Sequence, residues 1–137
     1  PSRRTVIVTG DGAHQLTANE LGNFYRHGAK PIMFVVNNSG YAIERVLEEY
    51  PDYEYNDLAQ WDYHKLPAAL GCKDWFTAKV TTLGELDAAM ATASEADTAC
   101  YIEVVMDKHD YPKAAQAMGT RWEELYGVAE RPGQPPK

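Results

Sequence analysis

Apolar residues along this chain fall either into short unbroken runs or into stretches where they recur every three or four positions. Val6-Ile7-Val8 and Ile32-Met33-Phe34-Val35-Val36 are unbroken runs, and the longer one has the pattern of a strand covered on both faces. Strands are expected over residues 5–9, 32–37, 75–80 and 101–106. After the first of them, Thr17-Ala18-Asn19-Glu20 reads as a capping box, with Leu16 and Leu21 as its hydrophobic staple. A helix is expected from there to about His27, stopped by Gly28. Residues 42–49 predict a helix with Ile43, Val46 and Leu47 on one side, ended by Pro51. Residues 53–61 are aromatic and irregular, and a short helix over 62–70 stops at Gly71. Thr82-Leu83-Gly84-Glu85 is a second capping box, opening a helix whose Leu83, Leu86, Met90 and Ala93 share a face. Thr120-Arg121-Trp122-Glu123 opens a terminal helix. Strands alternating with single helices imply right-handed crossovers and a parallel sheet flanked by helices, an α/β fold.

A chain of 137 residues, 45% hydrophobic and 24% charged, suits one globular domain with a real core. Its net charge of -7 argues against a general nucleic-acid binder, because no basic excess exists to neutralise a polyanion. A compact diphosphate is a different matter, since a bound cation can carry the compensating charge. No apolar run approaches the roughly 20 residues that span a bilayer, so no membrane role is expected. Cys72 and Cys100 are too few and too far apart to chelate a metal. They read as buried thiols in a reducing, cytoplasmic setting, with a disulfide between them the lesser alternative. No signal segment is visible: Pro1-Ser2-Arg3-Arg4 leads straight into a strand without an initiating Met. These features suggest a piece of a longer polypeptide, with a domain over residues 1–127 and a flexible tail over 128–137.

The candidate chemistry lies where two strands end. Gly10-Asp11-Gly12 follows the first apolar run and Asn37-Asn38-Ser39-Gly40 the second, with room between them for one helix and a return strand. In parallel α/β sheets, ligands gather at the carboxyl ends of the strands. Asp11 and Asn38 side-chain oxygens and the Gly40 carbonyl can supply three ligands to a magnesium ion, which prefers six oxygens and keeps phosphate among them. One protein carboxylate is enough, because a diphosphate brings the remaining negative charge. Glycines on both sides of Asp11 let the backbone approach a bulky anion. Each motif alone reads as a tight turn; the pair at successive strand ends points to a site. Gly-x-Gly-x-x-Gly is absent, with Ala13 and Gln15 in the way, and no Gly-Lys-Ser/Thr marks a P-loop.

The stretch from Gly10 to Asn38, continuing through Ser39-Gly40-Tyr41-Ala42-Ile43-Glu44, resembles the thiamine diphosphate motif of the pyruvate and indolepyruvate decarboxylases. Tyr55-Asn56-Asp57, Trp61, Leu66-Pro67 and Gly71 extend the resemblance, which runs to about Gly127. The diphosphate motif marks the wider superfamily, and Gly40-Tyr41-Ala42-Ile43-Glu44 narrows it to thiamine diphosphate-dependent 2-oxo acid decarboxylases. The resemblance implies a thiamine diphosphate-binding fold, here an incomplete C-terminal domain of a larger enzyme. Asp11, Asn38 and the Gly40 carbonyl match the family's magnesium ligands. Gly10, Gly12 and Ala13 would lie against the diphosphate, where many members have Ser at position 13. Tyr41 would pack beside the cofactor and Ile43 near the reacting centre. Glu44 matches the family's active-site glutamate, and a partly buried glutamate can act as a proton donor. Read without the resemblance, Glu44 belongs to a helix with local ion pairs.

The activity implied is release of carbon dioxide from pyruvate, indolepyruvate or phenylpyruvate to leave an aldehyde. Its cofactors would be thiamine diphosphate and Mg2+. Its partner would be the pyrimidine-binding domain of the same enzyme from a second subunit, in a homodimer or homotetramer. That domain's glutamate and histidine pair are not identifiable here, so the isolated chain is expected to be inactive. Competing readings are acetolactate synthesis, a benzoylformate decarboxylase-like activity, or a non-catalytic interaction domain. The histidines give no hydrolase pattern: His14 packs beside the diphosphate loop, His27 ends a helix, and His64 and His109 lack ligand spacing. Tyr50, Tyr53, Tyr55, Trp61 and Tyr63 read as core or interface rather than substrate contacts.

Overall fold

The computed structural model describes residues 3–48 and 50–126. Four strands, β1 (Val6–Gly10), β2 (Ile32–Asn37), β3 (Phe76–Val80) and β4 (Cys100–Val105), form one parallel sheet in the order β1-β2-β4-β3. Each lies within one residue of its expected bounds. The helices are α1 (Asp11–Thr17), α2 (Leu21–Arg26), α3 (Ala42–Leu47), α4 (Leu66–Ala69), α5 (Leu83–Glu95) and α6 (Lys113–Tyr126). Gly10 is in register with Val36, so β1 and β2 end side by side.

Side chains alternate along each strand, so the sheet buries two separate clusters. Leu21, Met33, Val35, Tyr63, Cys72 and Tyr101 fill one face, joined by Ile7, Phe24, Leu66 and Trp75. Val80, Ala89, Ala93, Cys100 and Ile102 fill the other, beneath α5. Helix α5 packs on β3 and β4, and Val6 and Val8 on the β1 edge remain 58% and 67% exposed. Cys72 and Cys100 are both buried free thiols, so the disulfide alternative is gone. Among the described residues no helix is long and apolar enough to cross a membrane.

Two glycine stops form as expected. Helix α2 closes with Gly28 at φ +64, Gly28 N–H reaching the Tyr25 carbonyl and Ala29 N–H the Phe24 carbonyl, the paired bonds of a Schellman end. Gly71 adopts φ +80 after α4, which continues a 3-10 turn over Tyr63–Lys65. The box at Thr82 and Glu85 is complete, each side chain bonded to the other's backbone.

Other expectations need correction. The first helix opens at Asp11, not Thr17: a carboxylate in the first turn, accepting from Gly12 N–H, stabilises a helix start there. Thr17 falls where α1 passes into a 3-10 turn and makes no cap bond, and Leu16, 77% exposed, cannot staple Leu21. Helix α5 turns Leu86, Ala89 and Ala93 inward and leaves Leu83 and Met90 outside, because small alanines allow closer approach to the sheet. Helix α3 ends at Leu47 with Glu48 extended, and buries Arg45 while Ile43 stays exposed. Helix α6 begins seven residues before Thr120, its alanine-rich start following Pro112, whose carbonyl accepts from Ala115 and Gln116. Of the aromatic group, Tyr63 alone is core; Tyr53 stacks on Tyr55 and Trp61 leans on Tyr63. The expected tail over 128–137 lies outside the described residues.

Candidate cation and diphosphate site

The loops after β1 and β2 meet through Asp11. Its Oδ1 accepts from Gly12 N–H at 2.8 Å and its Oδ2 from Gly40 N–H at 3.1 Å, across 29 positions of sequence. The side chain is buried, and burial pushes its carboxyl up against the lowering effect of the Gly12, Gly40, Ser39 and Asn38 amides. A buried carboxylate in that state gains from a cation, which removes the cost of keeping the charge out of water. Asn38 is half-buried, and its side-chain amide bonds no described residue. The Gly40 carbonyl accepts from Ala42 N–H and retains a second lone pair.

Gly12 is buried with the Tyr41 ring over it: a Cβ there would come 2.5 Å from Tyr41 Cε1 and 3.3 Å from Leu58 Cδ1. Because α1 opens at Asp11, Gly12 and Ala13 sit in its first turn, with the Gly12 N–H taken by Asp11 Oδ1. Gly10 and Ala13 are exposed. The structure therefore brings Asp11, Gly12, Asn38, Gly40 and Tyr41 together, with Gly10 and Ala13 on the rim. This oxygen set suits a hard cation that shares its shell with phosphate. Among the described residues no three His, Cys, Asp or Glu side chains cluster as a metal site.

Ile43 and Glu44 sit in the opening turn of α3, both exposed. The Glu44 carboxylate bonds no described residue, and the partial burial expected of it is not present in this chain alone. Its connection to Asp11 is through the backbone of Gly40 and Tyr41.

Two residues the sequence did not single out hold the second loop. Arg45, 2% exposed, donates to the carbonyls of Pro51, Ser39 and Asn56 and to Asp57 Oδ1 at 2.6 Å. Tyr41 N–H also bonds the Asn56 carbonyl, and Gly40 pairs with Asp57. Arg45 Nε and Asn56 Nδ2 are buried with no acceptor among the described residues. Glu103 on β4, fully buried, bonds Asn37 Nδ2 at 2.8 Å and His64 Nδ1 at 2.7 Å. Burial alone would push its carboxyl up; the bonds from His64 and Asn37 outweigh it and hold the group below its usual range. The one available signal was a charge inside the apolar run Cys100-Tyr101-Ile102-Glu103-Val104-Val105. Deeper still, His14 Nε2 lies 2.7 Å from the Tyr101 hydroxyl, packed behind the loop as expected.

The chain is similar to proteins of one family. The family described as "Thiamine pyrophosphate enzyme, C-terminal TPP binding domain" matches residues 1–104. The alpha-keto-acid decarboxylase of Mycobacterium leprae (strain TN) is 44% identical over 118 residues, covering 85% of this chain and 21% of that protein. Its counterpart in Mycobacterium avium (strain 104) is 44% identical over 116 residues, 82% of this chain and 20% of the relative. The crystal structure of benzoylformate decarboxylase from Polynucleobacter necessarius superposes with a TM-score of 0.69 at 27% identity, over 80% of this chain and 21% of that one. The chain thus spans about a fifth of the length of the curated relatives it matches. With residues 1–104 matched, the chain belongs to the thiamine pyrophosphate enzymes, in their C-terminal TPP-binding domain.

Proposed function

We propose that this chain supplies the magnesium- and diphosphate-binding half of the active site of a thiamine diphosphate-dependent enzyme that decarboxylates a 2-oxo acid to an aldehyde. The observation that carries this reading is the 3.1 Å bond from Gly40 N–H to buried Asp11, which joins the two strand-end loops. Asp11 and Asn38 side-chain oxygens and the Gly40 carbonyl hold the cation. Gly10, Gly12 and Ala13 receive the diphosphate, and the Tyr41 ring lies over Gly12. When bound, thiamine diphosphate supplies the electron sink for the pair left as carbon dioxide departs.

This chain's own contribution to the chemistry is placement and proton handling. Glu44, four residues after Gly40 on the opening turn of α3, is set to move a proton at the reacting carbon, and Ile43 to exclude water beside it. Both face solvent here, and the pyrimidine-binding domain of a second subunit is proposed to cover them, in a homodimer or homotetramer. The names of the curated relatives favour a 2-oxo acid substrate, and the solved benzoylformate decarboxylase favours keeping an aryl 2-oxo acid in the comparison.

The test is product analysis on the full-length enzyme with pyruvate, phenylpyruvate, indolepyruvate and benzoylformate. An aldehyde from at least one of them is expected, and a carboligated 2-hydroxy-3-oxo acid or 2-hydroxy ketone with no free aldehyde would contradict aldehyde release as the function. Glu44→Gln is expected to keep cofactor binding and lose at least about a hundredfold in kcat, in the range of general acid–base contributions. Parental turnover in that variant would remove Glu44 from the mechanism.

A further inference from the structure

Glu103 is a fully buried carboxylate that no step of the proposed reaction uses. Every polar group around it is a donor. Oε1 accepts from Asn37 Nδ2 at 2.8 Å and faces Lys79 Nζ at 3.4 Å, on the residue in register with it across β3. Oε2 accepts from the His64 backbone at 3.2 Å and meets its Nδ1 at 2.7 Å. The consequence falls on Asn37. With its Nδ2 committed to Glu103, the Asn37 amide can turn only Oδ1 toward the next loop, and that oxygen accepts from Ser39 N–H at 3.3 Å. Ser39 needs such a hold: it sits at φ 65, a left-handed backbone that disfavours a residue with a Cβ. That turn carries Asn38 and Gly40 on either side.

We propose that Glu103 is a positioning residue for the cation site, acting through the Asn37 amide on the Ser39 turn that presents Asn38 and Gly40 to Asp11. This rests on the reading of those loops as a cation and diphosphate site. The hydrogen-bond pattern dictates the test. Glu103→Gln leaves one oxygen for donors on both sides; with that oxygen kept on the His64 N–H and Nδ1, its amide nitrogen stands against Asn37 Nδ2. Either two donors face each other or Asn37 flips and withdraws its oxygen from Ser39 N–H. Asn37→Asp sets two carboxylates together. The double exchange, Glu103→Gln with Asn37→Asp, keeps the net charge and reverses one hydrogen bond. The new carboxylate can accept from the new amide and from Ser39 N–H, while the remaining amide oxygen still serves His64.

Dissociation constants for thiamine diphosphate with Mg2+ are measured by calorimetry on the full-length enzyme, alongside the melting temperature of each cofactor-free variant. Each single substitution is expected to raise the constant about tenfold, the scale of one lost charge-assisted bond, and the double exchange to return it to within about threefold of the parent. If a single variant does not fold, recovery in the double exchange against the parent decides the matter. Lower melting temperatures with parental binding would assign Glu103 to stability only and overturn the proposal, as would a double exchange that binds no better than the singles. A parent that binds no cofactor would overturn the underlying site reading, and the proposal with it.

Discussion

Gly40 is where one atom matters most. A Cβ at this position would overlap the Asn56 carbonyl oxygen and the Arg45 guanidinium, while a Cβ at Gly10 meets nothing within 4 Å. Gly40→Ala is therefore expected to cost about 1–3 kcal/mol of stability through overpacking, and Gly10→Ala less than about 0.5 kcal/mol. Denaturant titration of the two variants checks this; equal losses would show that the latch around Gly40 is not rigid. The glycines beside Asp11 and Asn38 made these residues legible in the sequence, because polar groups set among glycines at strand ends have few other uses. Arg45 and Glu103 were not legible. Their types default to the surface, and only the folded arrangement of carbonyls around Arg45 and donors around Glu103 shows why they are inside.

At the scale of elements, two nearly identical signals had opposite outcomes. Thr82 with Glu85 caps α5, whereas Thr17 with Glu20 caps nothing. The difference is what precedes them. Thr82 follows the end of β3 and has extended backbone, leaving its hydroxyl free to take the Glu85 N–H. Thr17 is already inside a helical path that Asp11 started. Thr82→Ala should destabilise the fold by about 1 kcal/mol, and Thr17→Ala by less than about 0.5 kcal/mol, in chemical unfolding. Comparable losses would contradict this assignment of the caps. The strands were readable because long apolar runs leave few alternatives. The start of α6 was not, since alanines and a lysine after Pro112 carry helix propensity but little apolar periodicity. Near the site, Gly119 of α6 sits so close to Val46 of α3 that a Cβ would meet the Val46 carbonyl, so α6 braces the helix that carries Glu44.

At the scale of the whole molecule, the buried polar groups make stability depend on pH. Burial holds His14 below its ordinary value of 6.5, so the native state resists a proton that the unfolded chain accepts. Stability is then level above about pH 6.5 and falls as the pH drops below it, until His14 protonates in the native state. Thermal unfolding from pH 8 to pH 5 should show this slope in the parent and a flatter one in His14→Gln; identical slopes would remove His14 as its source. Helix α5 packs on β3 and β4, and the Val6 and Val8 face of β1 stays open in this chain. The fold was readable as an alternation of runs and periods, and the site as a pair of loops that the parallel order of β1 and β2 brings together. That convergence is tested most directly by calorimetric titration of Mg2+ and thiamine diphosphate into the full-length enzyme and its Asp11→Asn variant. The expected result is tight, magnesium-dependent binding in the parent and a loss of at least about a hundredfold in the variant, as when one partner of a buried charged pair is removed. Parental affinity without the Asp11 carboxylate would contradict it.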